Sequence, residues 1–268
     1  MSTLLKRTPL ITAICCTEDR PEWLPRAVEL FLAQDWPRKE LLILDRSSTD
    51  LRARLPADDR VRVWWFEKQA VAAMRHRTGI QAARGEFVTY WDDDDWHAQT
   101  RLSEQIKPLI SGAATMTGIP LSVMPTITLP SLDFWKLRIV PGPPKPADPI
   151  HGMQPDKPGL RFADATAMFP KCLVRGDQDP ALELAKIPFL QEMAGRGGKQ
   201  LRMEDERLYC YVRHGGNVWS MGERWAFDPR PRPPWIPEEQ FDFWRQLRVK
   251  GATAVRTTHS SAAPSRPA

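Results

Sequence analysis

Between residues 10 and 95, short apolar runs alternate with amphipathic segments of helical period, and this alternation restricts the chain more than any other feature. Leu10–Cys16, Leu41–Leu44, Val61–Phe66 and Phe87–Trp91 have strand length. Glu22–Gln34 sets Trp23, Leu24, Ala27, Val28, Leu30 and Phe31 at helical spacing, and Pro21 marks its start. Ala70–Arg84 reads as an alanine-rich helix, stopped by Gly85 at the C-cap. Strands that alternate with helices form a mostly parallel sheet through right-handed crossovers. The expected fold class is therefore α/β, a Rossmann-like sheet flanked by helices.

The pattern changes after residue 111. Ten prolines fall between residues 112 and 160. Proline fixes φ and removes a donor, so loop and short edge strand are expected there. Ala163–Phe169 and Arg207–Val212 read as strands, with a helix over Ala181–Ala194 between them. Pro237–Lys250 is expected to be a short helix, and the Ala/Thr/Ser/Pro-rich Gly251–Ala268 has the composition of a disordered tail.

The 268 residues are 42% apolar, enough for a sizeable core. No run approaches the roughly 20 apolar residues of a membrane span, and residues 1–10 lack a signal peptide's apolar stretch. The spacing of Cys15, Cys16, Cys172 and Cys210 matches no zinc site, so thiols in a reducing cytoplasm are expected. Seven basic residues against three acidic ones put +4 of the net +5 charge on Pro229–Ala268. This tail is a solvated extension or a contact for an anionic surface.

Tyr90-Trp91-Asp92-Asp93-Asp94-Asp95 carries the chemistry. Consecutive carboxylates repel one another unless a cation intervenes. They close a strand of an open α/β sheet, where such folds bind ligands. Hard oxygen donors there suit Mg²⁺ or Mn²⁺ bridging a pyrophosphate. The competing reading makes Asp94 or Asp95 the cap of a helix beginning near Gln99. Asp45 closes the Leu41–Leu44 strand, where a carboxylate can grip a ribose or base edge, although Ser47-Ser48-Thr49-Asp50 is also turn chemistry.

Several landmarks together resemble family 2 glycosyltransferases. Pro9–Arg20, with Thr17-Glu18-Asp19-Arg20-Pro21 closing the first strand, is similar to that family's opening. So are Gln34-Asp35-Trp36-Pro37 followed by Glu40 and Leu41–Asp45, and Ala82-Ala83-Arg84-Gly85-Glu86-Phe87 leading into Asp92–Asp95. The resemblance covers residues 9–110 well and is patchy to about residue 220. It implies the GT-A fold, with residues 1–110 as the nucleotide-sugar-binding half, 111–228 as the acceptor half and 229–268 as a Pro/Arg-rich extension.

By the same resemblance, Thr17 and Glu18 line the nucleotide pocket, Asp45 holds base or ribose, and Asp93 approaches the ribose. Asp94 is the main metal ligand and Asp92 the first aspartate of the DxD motif. Arg75 and Arg77 face the diphosphate or form a solvated helix face. Tyr209-Cys210-Tyr211-Val212-Arg213-His214-Gly215-Gly216-Asn217 is similar to a strand and loop whose histidine completes the metal shell, so His214 is a ligand or a structural residue. The implied activity is inverting transfer of a sugar from a nucleoside-diphosphate donor, a UDP-sugar being expected. The acceptor is a hydroxyl of a glycan, lipid, protein or modified nucleic acid.

Two departures stand out. The family's acidic pair before a Phe-Leu helix is replaced by Ala185-Lys186, ahead of Phe189-Leu190. Glu183 is taken as the general base, with Asp177, Asp179 and Glu192 as other candidates. A catalytically degenerate nucleotide-sugar-binding protein is the alternative. Glu18 stands where the family often has an aromatic. A nucleotidyltransferase is disfavoured because Thr17–Pro21 contains no glycine for a phosphate loop.

Overall fold

A computed structural model describes residues 8–66, 78–139, 162–174, 190, 198–217 and 225–247. Among the described residues there are twelve strands: β1 (Ile11–Thr17), β2 (Lys39–Asp45), β3 (Val61–Trp65), β4 (Phe87–Tyr90), β5 (Trp96–His97), β6 (Met116–Gly118), β7 (Pro125–Thr128), β8 (Asp133–Ile139), β9 (Met168–Pro170), β10 (Gln200–Arg202), β11 (Tyr209–Arg213) and β12 (Trp225–Arg230). The helices are α1 (Leu24–Leu32), α2 (Arg101–Ile110) and α3 (Glu238–Gln246). Among the described residues, no helix is long and apolar enough to cross a membrane.

A seven-stranded sheet runs in the order β10-β6-β9-β4-β1-β2-β3. Strands β3, β2, β1 and β4 are mutually parallel, while β9 enters antiparallel between β4 and β6. The chain grows outward from β1 through β2 to β3, then returns to lay β4 on β1's other side. That reversal makes the carboxyl ends of β1 and β4 a topological switch point, the place where open α/β sheets bind ligands.

Both faces of this sheet are covered. Ile11, Ala13 and Cys15 of β1 and Leu41 and Ile43 of β2 pack with Leu24, Val28 and Phe31 of α1 and Leu102 and Ile106 of α2. Ile14, Leu42 and Leu44 face the other way, against Ile80, Ala83 and Phe169. Alternate side chains thus enter opposite layers, and burial on both faces is why these strands read as unbroken apolar runs.

The second sheet has order β12-β8-β7-β11-β5 and lies on the carboxyl side of the acidic run. Its apolar face joins Trp96, Ile127, Phe134, Cys210 and Val212 to Ile236, Phe241 and Trp244. Residues 229–247, expected to belong to an extension, therefore carry β12 to its end and pack α3 into a core. Burial of Phe241 alone contributes about 1.5–3 kcal/mol. Residues 248–268 lie outside the described residues, as does the expected helix over Ala181–Ala194 apart from Leu190.

Several local expectations are corrected. The proline-rich stretch holds β6, β7 and β8, and β7 lies between β8 and β11 rather than at an edge. Pro125 is tolerated because it is the strand's first residue. Asp164–Thr166 is a 3-10 turn before the short β9, so the strand expected over Ala163–Phe169 begins late. Helix α1 takes its proline from Pro25, inside its first turn, rather than from Pro21. Gly85 is required by close approach: a Cβ there would lie 2.6 Å from Thr12 N and 2.7 Å from Leu10 O.

Candidate active site at the carboxyl ends of β1, β2 and β4

The buried β4 runs into Trp91, whose indole Nε1 donates to the Ala27 carbonyl of α1 at 3.1 Å. This anchor fixes where the four following aspartates emerge, and each meets different partners. Asp92 is held through its carbonyl, which lies 3.2 Å from His97 Nε2. Asp93 accepts from Thr17 Oγ1 at 2.5 Å and from Arg20 Nη1 at 2.6 Å. Asp94 Oδ2 receives Arg20 Nη1 at 2.7 Å and lies 3.0 Å from His214 Nε2. Asp95 accepts the Tyr209 hydroxyl and, at 2.8 Å, the Val212 amide.

The helix-cap reading is excluded by this arrangement. Helix α2 begins at Arg101 after Thr100, with no side-chain cap, and Asp95 turns to β11 instead. Three of the aspartates are buried, at 3% (Asp93), 7% (Asp94) and 4% (Asp95) exposure. Burial, opposed by Arg20 and reinforced by Asp94, pushes the Asp93 carboxyl up. Burial also acts on Asp94, but the hydrogen bond from His214 and the charge of Arg20 outweigh it and leave that carboxyl below its ordinary value. Asp95 is raised well above the carboxylate range by burial and by its neighbours Asp94 and Asp92.

His214 follows β11. Its ring stacks on Trp23, at the start of α1, with centroids 4.6 Å apart. The Gly216 amide donates to Nδ1 at 3.1 Å, which assigns the ring proton to Nε2 and makes His214 a donor to Asp94. Asn217 completes the loop, its Oδ1 taking the His214 amide at 2.5 Å and its Nδ2 donating to Val212 O at 3.0 Å. Gly216 admits no larger residue without movement, since a Cβ would sit 3.2 Å from the His214 ring.

Thr17, Asp45 and Trp65 are level in the registers of β1, β2 and β3. Asp45 is fully buried, and its Oδ1 accepts from Ser47 N at 2.8 Å. Its Oδ2 is buried and has no hydrogen-bond partner among the described residues. A buried carboxylate oxygen without a donor is costly, and a ligand hydroxyl or ring N–H would satisfy it. Glu18 pairs with Arg46 Nη2 at 2.6 Å, beside Asp45 in sequence. Trp65 is 42% exposed, with its indole N–H tied to Ser47 O at 3.0 Å.

Thr17, Asp93, Asp94 and His214 thus meet at one place, with Asp45 one strand away. Arg75, Arg77 and Glu183 lie outside the described residues. Arg20, Trp23 and Asn217 received no role from sequence. The signal for Arg20 was electrostatic: a cation just past β1 stands opposite four carboxylates in a fold that joins those two strand ends.

Residues 12–137 match the model of glycosyl transferase family 2. Over that stretch, just under half of its length, the chain is similar to glycosyl transferase family 2. Glycosyltransferase GlyG of Streptococcus pneumoniae is 33% identical over 91 residues, covering 32% of this chain and 30% of that protein. Staphylococcus aureus TarS 1–349 in complex with UDP-GlcNAc is similar in fold, with a TM-score of 0.54 at 16% identity over 78% of this chain and 60% of that one. The mannosyltransferase PcManGT of Pyrobaculum calidifontis, in complex with GDP-Man and Mn²⁺, gives 0.54 at 18% identity over 78% and 57%. The chain has the GT-A fold that the sequence resemblance implied. Its matches span 48% and 46% of the length of two further curated glycosyltransferases.

Proposed function

We propose that this chain is a family 2 glycosyltransferase that moves a sugar from a nucleoside-diphosphate donor, a UDP-sugar, to an acceptor hydroxyl with inversion. The observation that carries the reading is the meeting of Asp93 and Asp94 with the His214 loop at the switch point of the parallel sheet. The unpartnered Asp45 Oδ2 supports a nucleoside in the adjacent position. Thr17 orients Asp93 toward the ribose, and Asp45 accepts from base or ribose.

A divalent ion, Mn²⁺ or Mg²⁺, fits the chemistry of this donor set: carboxylate oxygen from Asp94, with Asp92 beside it, and imidazole nitrogen from His214. Among the described residues no three acidic, histidine or cysteine side chains are grouped closely enough to hold an ion by themselves. The remaining ligands would come from the diphosphate and water. When bound, the ion would neutralise charge on the departing diphosphate. In the transfer, the acceptor oxygen bonds to the anomeric carbon from the face opposite the nucleotide. The bond to the diphosphate breaks with its electron pair, and the hydroxyl proton passes to a base, for which Glu183 is proposed. The family 2 resemblance leaves the acceptor as a glycan, lipid, protein or modified nucleic acid.

The test is isothermal titration with UDP and GDP, with and without Mn²⁺. Divalent-dependent binding of either nucleotide is expected, and binding of neither contradicts the reading. The replacement of the acidic pair by Ala185-Lys186 favours, as a second reading, a binding protein without efficient transfer. Slow hydrolysis of a nucleotide-sugar with Mn²⁺, lost in Asp94→Ala, would exclude that second reading.

A further inference from the structure

One guanidinium bridges two carboxylates of the acidic site, including the Asp94 oxygen proposed above as a metal ligand. Arg20 Nη1 lies 2.6 Å from Asp93 Oδ1 and 2.7 Å from Asp94 Oδ2, and Nη2 donates to the Gly216 carbonyl at 2.9 Å. Asp94 Oδ2 is also the oxygen that His214 approaches at 3.0 Å. A divalent ion bound to that oxygen would sit about 2.1 Å away, against the guanidinium nitrogen. The two cations exclude each other by volume and by charge.

Arg20 also controls the histidine. It holds the Gly216 peptide by its carbonyl, and the same residue's amide donates to His214 Nδ1 at 3.1 Å. While that amide is in place the Nε2 proton faces Asp94, and Nε2 is not available as a ligand. Release of Gly216 frees the ring to present its lone pair.

We propose that Arg20 is a resident counter-ion of the acidic site. It excludes a divalent ion from the apo protein and transfers to the donor's diphosphate when nucleotide and ion arrive together. The proposal rests on the metal-dependent reading above. A planar fork that now spans two carboxylates suits the oxygens of a diphosphate equally. The diphosphate gives the displaced guanidinium a new anionic partner, so nucleotide and ion promote each other's binding, by the same factor in both directions. Arg20 is thus a positioning residue that links the two ligands.

The experiment is isothermal titration of Mn²⁺ into the full chain, alone and saturated with UDP, for wild type, Arg20→Gln, Arg20→Lys and Asp94→Asn. Wild type is expected to bind Mn²⁺ weakly alone and at least about tenfold more tightly with UDP. Arg20→Gln is expected to bind Mn²⁺ alone about tenfold more tightly than wild type, with little further gain from UDP. A lysine cannot hold both carboxylates and the Gly216 carbonyl at once, so Arg20→Lys gains several-fold and serves if the glutamine variant does not fold. Melting gives a second readout: Mn²⁺ without nucleotide raises the Tm of either variant more than that of wild type. Unchanged or weaker Mn²⁺ binding by the Arg20 variants, with wild-type binding that needs UDP and Asp94, overturns the Arg20 proposal alone. Absence of Mn²⁺ binding to wild type with UDP overturns both it and the metal-dependent reading.

Discussion

The Tyr209 hydroxyl donates to Asp95 Oδ2, and through it the last residue of the acidic run ties β11 of the second sheet to the end of β4. Four identical side chains are thereby divided by their partners. Asp95 belongs to the scaffold, and Asp93 and Asp94 belong to the open end of the first sheet. Tyr209→Phe removes a hydrogen bond to a buried carboxyl and is expected to lower stability by about 1–3 kcal/mol in urea unfolding. Asp94→Asn is expected to lose transfer on the order of 10²-fold or more, while Tyr209→Phe keeps most of it. Equal losses of transfer in the two variants would contradict this division.

Asp45 should show the opposite balance of stability and function. Its Oδ2 has no hydrogen-bond partner among the described residues. Asp45→Asn removes a buried charge and is expected to leave the Tm unchanged or raised. The same change weakens UDP binding about tenfold, or 1.4 kcal/mol. A calorimetric Kd equal to wild type would remove Asp45 from the nucleotide site.

His97 and Arg101 make a buried pair beneath the aspartates. The guanidinium Nη1 lies 2.5 Å from His97 Nδ1, and the imidazole stacks on Trp91 with centroids 3.7 Å apart. Burial, then the Arg101 charge, hold His97 well below its ordinary value of 6.5, so the folded protein keeps it neutral. The unfolded chain protonates it below that value. Unfolding then takes up a proton, and stability falls as pH drops through the unfolded pKa. The difference in unfolding free energy between wild type and His97→Gln should shrink by about 1.4 kcal/mol per pH unit below pH 6.5. A difference that is constant from neutral pH to pH 5 would contradict a neutral buried His97.

Gly85 tests the junction of β1 and β4. A Cβ there would meet backbone atoms of Leu10, Thr12 and Phe87, none of which is the movable end of a side chain. Gly85→Ala is expected to cost about 1–3 kcal/mol, read as a lowered Tm, and to reduce UDP affinity because the strand ends shift. An unchanged Tm would show that the two strands can separate there.

The parallel half was legible because β1, β2 and β4 are buried on both faces. Leu41–Leu44 lies inside β2, and Phe87–Trp91 contains β4. Of the second sheet only β11 was legible, within Arg207–Val212; β7 and β8 were hidden, since Pro125 and Pro130 lower the strand signal of residues that pair with distant partners such as β11 and β12. The acidic run was visible as a ligand site at a strand end. Its division of labour was not, because Arg20, Tyr209 and His214 reach it from 73 to 120 residues away in sequence. Three of the tail's seven basic residues are paired, Arg232 with Glu238 and Arg245 with Asp242 inside the tail, and Arg230 with Glu206 outside it, which local composition does not reveal.

Anomalous scattering at the manganese edge, from crystals grown with UDP and Mn²⁺, would locate the ion directly. A peak bonded to Asp94 and to the diphosphate, with the nucleoside directed toward Asp45, is the predicted result. UDP bound with no peak at Asp94, or bound away from the carboxyl ends of β1 and β4, would contradict the account.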